Sequence, residues 1–188
     1  MLKKARTLPT LALSCLAFAS VAGAGELAGV KLADTAKVGE QTLVLNGMGL
    51  RTKMIFKVYV AGLYLAAKQS DPAKILAEDS ARRLEMQFMR SVGHEKIAEA
   101  WAECLTNNTP NAGSDVQAGF KQLEGWTADM EEGHKMTFTY EPGKGTEIAV
   151  QGAAKGSVAG KAFADAIFAC WLGPVPPNAE LKTGLLGQ

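Results

Sequence analysis

Residues 46–65 read NGMGLRTKMIFKVYVAGLYL, and this stretch decides the fold that the sequence predicts. From Arg51 onward it is rich in β-branched and aromatic residues, which favour strands. Residues 38–45 before it have the same character. Asn46-Gly47 stands between the two, and this pair favours a tight hairpin turn because both residues tolerate positive φ. We therefore predict two antiparallel strands joined at Asn46-Gly47, the second running from Arg51 to Leu65.

The rest of the chain alternates between the two hydrophobic periods. Alternating apolar residues predict strands at residues 83–92, 134–140 and 146–151. Helical spacing predicts helices at residues 93–107, 116–130 and 161–172, and Pro72 after a capping residue predicts a short helix to residue 76. Residues 152–160 are small and Gly-rich and predict a loop, and residues 178–188 predict at most a short turn of helix. Because the helices cannot all be crossovers, the predicted fold is α+β, a largely antiparallel sheet with helices packed on one face.

The first 24 residues have the three zones of a cleavable secretory signal peptide. Residues 8–19 are mostly apolar, Ala22-Gly23-Ala24 is a small-residue cleavage site, and the first zone is basic, through Lys3, Lys4 and Arg6. The apolar run is too short for a stable membrane span. Two alternatives are an uncleaved anchor and a lipoprotein signal at Cys15. We predict cleavage after residue 24 and a single periplasmic or secreted domain over residues 25–188.

Composition and charge limit the class of partner. Hydrophobic residues make up 47% of the chain and charged residues 21%, which is typical of a globular domain. Removal of residues 1–24 takes away three of the 20 basic residues, which leaves 17 against 19 acidic ones and a net charge of −2. The sequence therefore has no basic patch of the kind that nucleic acid or an anionic membrane requires, and we predict no nucleic-acid partner. No later segment is apolar enough over sufficient length to span a bilayer.

The cysteines and histidines do not form a metal-binding pattern. Cys104 and Cys170 remain after cleavage, and an oxidising compartment permits a disulfide between them. The favoured alternative is two small buried residues, since both lie in predicted helices. His94 and His134 are isolated, so we predict no metal and no cofactor. The common nucleophile, zinc-protease, phosphate-loop and dinucleotide-binding motifs are also missing.

Four polar residues remain as candidates for a binding site: Arg51, Tyr59, Tyr64 and Lys96. Arg51 begins the predicted strand that also carries both tyrosines, and Lys96 lies in the first turn of a predicted helix. A cation above an apolar cavity would hold a carboxylate or a phenolate. The alternatives are a solvated surface position for Lys96, which we favour, and a protective strand-edge charge for Arg51.

The sequence resembles the chalcone isomerase superfamily, most closely its secreted bacterial branch. The resemblance rests on residues 46–51 (NGMGLR) and 56–65 (FKVYVAGLYL), and it continues through residues 84–105 and 156–172. It implies an open-faced β-sandwich in which a large antiparallel sheet is covered by a layer of helices, with a ligand cleft between them.

The resemblance also implies a set of site residues. The plant enzymes close a chalcone into a flavanone with an Arg, a Thr, a Tyr, a Lys and an Asn. Arg51 and Lys96 match the Arg and the Lys, whereas Tyr59, Gly93 and Ala100 stand at the other three positions. Most groups for general acid catalysis are therefore missing, and we expect no chalcone isomerase activity.

Three functional hypotheses remain open. The fatty-acid-binding members of the superfamily imply a small apolar ligand with one anionic end, such as a fatty acid, with Arg51 as the anchor and Tyr59 and Tyr64 nearby. A second hypothesis is an intramolecular lyase or isomerase that acts on another substrate through Arg51 and Lys96. A third is a periplasmic protein-interaction module whose cleft is closed by its own Met and Phe side chains.

Overall fold

The computed structural model describes residues 24–188. The predicted signal peptide and its two alternatives therefore lie outside the described residues, apart from Ala24, with which the first strand begins. No helix within the described part of the chain has the length and apolar character needed to cross a bilayer.

Nine strands and five helices make up residues 24–188. In chain order they are β1 (Ala24–Leu27), β2 (Val30–Ala33), β3 (Thr35–Val38), β4 (Gln41–Lys53), β5 (Phe56–Leu65), α1 (Pro72–Ala77), β6 (Arg82–Phe88), α2 (His94–Asn108), α3 (Ser114–Trp126), β7 (Lys135–Glu141), β8 (Gly145–Val150), β9 (Ala153–Val158), α4 (Lys161–Leu172) and α5 (Ala179–Leu185). Strands β3 to β9 form one antiparallel sheet in sequential order, and β1 and β2 form a separate hairpin. The predicted α+β class is confirmed.

Strand β5 is buried on both sides of the sheet. Ala61 and Leu63 belong to the large core beneath the helices, whereas Val60 packs with Leu32 of the β1–β2 hairpin on the opposite side. A strand covered on both faces is apolar without interruption. This double cover explains the unbroken run in the sequence from residue 58 to residue 65.

The predicted hairpin turn at Asn46-Gly47 is wrong. Strand β4 continues through both residues, and the chain turns instead at Met54 and Ile55. Asn46 is the extra residue of a β-bulge, and its buried side chain donates to Gln69 O and Leu185 O at 3.0 and 2.8 Å. Asn46 and Gly47 therefore lie at a bulge that the Asn46 side chain holds in place. Local turn preference does not distinguish such a bulge from a hairpin turn.

Glycines in β4 permit the close approach of α5. A Cβ atom on Gly47 would overlap the carbonyl of Gly184, and one on Gly49 would overlap the carbonyl of Leu181. The C-terminal helix therefore lies directly on the backbone of β4.

The predicted loop at residues 152–160 is also wrong, because residues 153–158 form strand β9 at the edge of the sheet. Gly156 has no side chain, and the ring of Trp126 lies against its backbone. A strand of small residues has little hydrophobic periodicity, so the sequence pattern did not reveal it. The other predicted strands and helices are present, with ends that differ by a few residues. The C-terminal segment forms more than the predicted short turn, because α5 is a helix of seven residues.

Cys104 of α2 and Cys170 of α4 form a disulfide, with their Cα atoms 5.2 Å apart. The favoured expectation of two unlinked buried thiols is therefore wrong. Both residues lie in helices, as predicted, but their pairing depends on how α2 packs against α4, which the sequence did not show.

Removal of the disulfide by Cys104→Ala with Cys170→Ala should destabilise the fold. The bond closes a loop with a sequence separation of 66 residues, for which the loss of loop-closure entropy is worth about 4 kcal/mol. Denaturant unfolding of oxidised protein, reduced protein and the double variant measures this. The reduced protein and the variant should unfold at similar, lower denaturant concentrations. Equal stability of all three, or no gain of two thiols on reduction, would contradict the bond.

Substitution Gly49→Ala should destabilise the protein by about 1–3 kcal/mol, because the new methyl group forces α5 away from β4. Gly125→Ala is the matched control, since a Cβ there meets no atom within 4 Å and α3 gains a better helix former. Thermal unfolding of both variants provides the comparison. If Gly49→Ala proves as stable as Gly125→Ala, the helix does not lie on the strand in this way.

Candidate ligand-binding site

A cavity of about 560 Å³ lies between the sheet and α2, with one wall formed by the segment between α4 and α5. Its volume is within the range of ~300–1,000 Å³ that is usual for small-molecule sites. Apolar side chains from four elements and this segment line much of it: Phe56, Phe88, Ile97, Trp101, Trp171 and Val175. The predicted ligand cleft between sheet and helices is therefore present and open.

Arg51 lies at this cavity, half-buried on the helical side of β4. Its Nη1 donates to Thr52 O and to Pro177 O, both at 2.6 Å. Asn178 reinforces the same junction, because its side chain donates to Leu50 O at 3.3 Å. Within residues 24–188, no carboxylate pairs with Arg51 and its remaining donors make no hydrogen bond. The guanidinium is thus held in place at one edge and still has donors to offer a ligand.

Tyr59 is the direct cross-strand partner of Arg51, and both side chains line the cavity. The Tyr59 hydroxyl accepts a hydrogen bond from Trp171 Nε1 at 3.1 Å. Burial raises the pKa of this hydroxyl to about 12, although the Trp171 bond and the charge of Arg51 both act to lower it. Tyr59 is therefore neutral at physiological pH, and its proton is not donated to any described residue. It is available as a donor to an anionic group.

Lys96 lines the cavity mouth from the first turn of α2. Its side chain is 66% exposed, and Nζ bonds to Glu99 Oε2 at 2.8 Å. This carboxylate raises the pKa of Lys96. The alternative of a solvated surface position describes Lys96 better than a role inside the cavity.

Tyr64 is not brought to this site. It is buried on the opposite side of the sheet, where it packs with Leu43 and Leu45 and donates to Ala33 O at 3.0 Å. Burial raises its pKa to about 12 as well. Successive side chains of a strand point to opposite faces, so two tyrosines five positions apart cannot both face one cavity. Tyr64 therefore does not lie beside Arg51, contrary to the prediction.

The positions implied by the family resemblance do converge. Arg51, Tyr59, Gly93, Lys96 and Ala100 all line the cavity. Gly93 and Ala100 provide no hydroxyl or amide where the plant enzymes are expected to have them. These five positions therefore supply one unpaired cation, Arg51, and one phenol, Tyr59, but no other group suited to proton transfer except the paired Lys96.

Two features of the site were missed at the sequence level. Trp171 fixes the Tyr59 hydroxyl from α4, and the helical stripe of α4 indicated only that Trp171 is buried. Arg90 lies at the mouth, with its guanidinium carbon 4.5 Å from the centroid of the Phe56 ring. Neither contact has a local sequence signal, since each joins distant segments. Among the described residues, no group of three or more His, Cys, Asp or Glu side chains is placed to hold a metal ion.

Comparisons with known proteins agree with this fold. The profile of the chalcone isomerase-like family matches residues 24–187. No curated protein matches the chain in sequence. The crystal structure of a fatty-acid binding protein of Arabidopsis thaliana superposes with a TM-score of 0.65 at 16% identity, over 87% of this chain and 96% of that one. This similarity shows a shared fold, and the predicted architecture is therefore confirmed. The chain belongs to the chalcone isomerase-like family.

Proposed function

We propose that this protein binds a fatty acid, or an amphiphile of the same shape, in the cavity beneath α2. The observation that carries the proposal is the unpaired Arg51 guanidinium at an open apolar cavity of about 560 Å³. The name of the structural neighbour, a fatty-acid binding protein, supports the same class of ligand.

The ligand carboxylate would lie between Arg51 and Tyr59. Both residues carry donors that no described residue uses, and hydrogen bonds between charged groups are the stronger ones. The acyl chain would then extend along Trp101, Trp171 and Phe88, which are lining residues with little or no exposure to solvent. Burial of this chain would supply most of the affinity, and the carboxylate contacts would supply orientation.

We do not propose an isomerase activity. Lys96 is turned toward Glu99, and Gly93 and Ala100 carry no side chain that could position a catalytic water. An open cavity also favours ligand binding over a protein-interaction module with a closed cleft.

Arg51→Met should weaken palmitate binding by roughly tenfold to a hundredfold at neutral pH, because one charge-assisted hydrogen-bonding group is lost. Binding of hexadecanol, which lacks the charge, should change little. Quenching of Trp101 and Trp171 fluorescence gives both affinities. Lys96→Met is the matched control and should change palmitate affinity by less than about threefold, since its exposed pair with Glu99 contributes little.

The pH dependence of palmitate affinity tests the proposed contacts of the carboxylate with Arg51 and Tyr59. Because the carboxylate is the form that Arg51 binds, palmitate affinity should be complete above the ordinary carboxyl pKa and fall as pH decreases through about 4–5. It should not fall as pH rises to about 10, because the pKa of Tyr59 is about 12.

Equal palmitate affinity in Arg51→Met and wild-type protein would contradict the binding mode. Turnover of a chalcone that is abolished by Arg51→Ala would instead establish an isomerase.

We also propose that the domain works in the periplasm or after secretion. The basic, apolar and small-residue zones of residues 1–24 support this location, and a disulfide between Cys104 and Cys170 fits an oxidising compartment. Protein recovered from the periplasm should begin at Gly25 when its N-terminus is sequenced. Recovery of the whole chain from the cytoplasm alone would contradict the proposal.

A further inference from the structure

The large apolar side chains that are exposed in the described part of the chain are concentrated at one place. Four large hydrophobic residues are strongly exposed within residues 24–188, namely Met54, Ile55, Phe56 and Val175. The first three are consecutive at the turn between β4 and β5, and Met54, Phe56 and Val175 line the cavity mouth. Single exposed apolar residues are common on protein surfaces, whereas a cluster of them marks an interaction site.

The turn extends beyond the neighbouring strands. Strand β6 pairs with β5 only from Tyr59 onward, and β3 pairs with β4 only as far as Val44. Residues 53–57, which we call the hairpin tip, are therefore supported by no ladder other than their own. Met54 and Ile55 are each 89% exposed at its end.

Cations surround the apolar residues of the hairpin tip. Lys53 and Lys57 are exposed on its two strands, and Arg90 lies on the ring of Phe56. None of these three takes part in an ion pair within the described part of the chain. An unpaired cationic ring around exposed apolar side chains is complementary to the interface of an anionic bilayer, where apolar groups enter below the headgroups and Lys and Arg remain among the phosphates.

We propose that the hairpin tip docks on the surface of an anionic lipid bilayer, with Met54, Ile55 and Phe56 inserted. A bilayer is favoured over a protein partner by the size and shape of the surface. A stable protein interface requires about 800 Å² from each partner, and five residues at a projecting turn supply much less. A few inserted apolar side chains with adjacent cations are enough for reversible attachment to a membrane.

Docking in this orientation brings the cavity mouth to the lipid surface, because Met54 and Phe56 belong to both. The attachment itself depends only on the hairpin tip. It can therefore be tested in the absence of fatty acid, and the result does not depend on whether the proposed ligand is correct.

Co-sedimentation with vesicles tests the proposal. The protein, purified as the expressing cell processes it, should bind vesicles of phosphatidylethanolamine with phosphatidylglycerol and bind phosphatidylcholine vesicles weakly. Ile55→Asp should lower binding on the order of tenfold or more, since a charge replaces an inserted apolar group. Lys53→Gln with Lys57→Gln should lower it roughly tenfold, and high salt should do the same to the wild type.

Matched controls separate the hairpin tip from general charge. Lys121→Gln with Lys155→Gln removes two exposed lysines of α3 and β9, outside the cavity and the tip, and should change binding by less than about twofold. Ile55→Trp should show blue-shifted emission and quenching by brominated lipid on addition of vesicles, whereas Ala153→Trp on β9 should show neither. Ile55 does not line the cavity, so the Ile55 variants test the tip alone.

Several results would overturn the proposal. All variants share the same N-terminal form, so a difference in vesicle binding between them reports on the hairpin tip. One contradicting result is vesicle binding by Ile55→Asp equal to that of the wild type. Another is failure of the wild type to bind anionic vesicles. A third is a dimer or complex of the purified protein that Ile55→Asp disrupts without any change in vesicle binding, which would identify the hairpin tip as a protein interface.

Discussion

The bulge at Asn46 determines which side of the sheet Arg51 faces, and the cavity depends on this register. Leu45 pairs with Tyr64 on one side of the bulge, and Gly47 pairs with Leu63 on the other. If β4 instead paired regularly through Asn46, every side chain of β4 beyond it would point to the opposite face. Arg51 would then lie on the side of the β1–β2 hairpin, far from the helices. The buried Asn46 side chain, which bonds to backbone groups of two other segments, holds the bulge in place.

The segment that follows α4 depends on the same register. Arg51 donates to Pro177 O, and the amide of Asn108 bonds to both backbone groups of Val175. These bonds hold an irregular segment against the cavity, where it forms a wall. The disulfide ties α2 to α4 on the neighbouring side. The cavity is therefore bounded by elements that are fixed by backbone hydrogen bonds and a covalent link, and its apolar lining does not have to collapse to stabilise the fold.

The sequence predicted the fold class, most elements and the central site residues, and it did so by two different routes. Hydrophobic periodicity identified the regular strands and the long helices, because those elements have one buried face. The family resemblance, and not periodicity, brought Arg51, Tyr59 and Lys96 together, and the structure places all three at one cavity. Strand periodicity by itself separates Tyr64 from the site, since Tyr59 and Tyr64 are an odd number of positions apart and face opposite sides of the sheet. The bulge at Asn46 and the disulfide could not be predicted in this way, because each depends on partners distant in the chain. Strand β9 could not be predicted either, because its small residues have little hydrophobic periodicity.

The hairpin tip shows most clearly where stability alone does not explain the sequence. Met54 has a φ of 55°, a left-handed conformation in which a side chain such as Met is uncommon and costs about 1 kcal/mol. A glycine or asparagine would relieve this cost, and polar residues at positions 54 and 55 would remove apolar surface from water without disturbing any buried contact. The net charge of the chain does not reveal the positive charges nearby, because Arg90 joins Lys53 and Lys57 only through the pairing of β5 with β6. An exposed, strained and apolar turn beside an apolar cavity is thus costly to the isolated protein, and contact with lipid is what would offset that cost.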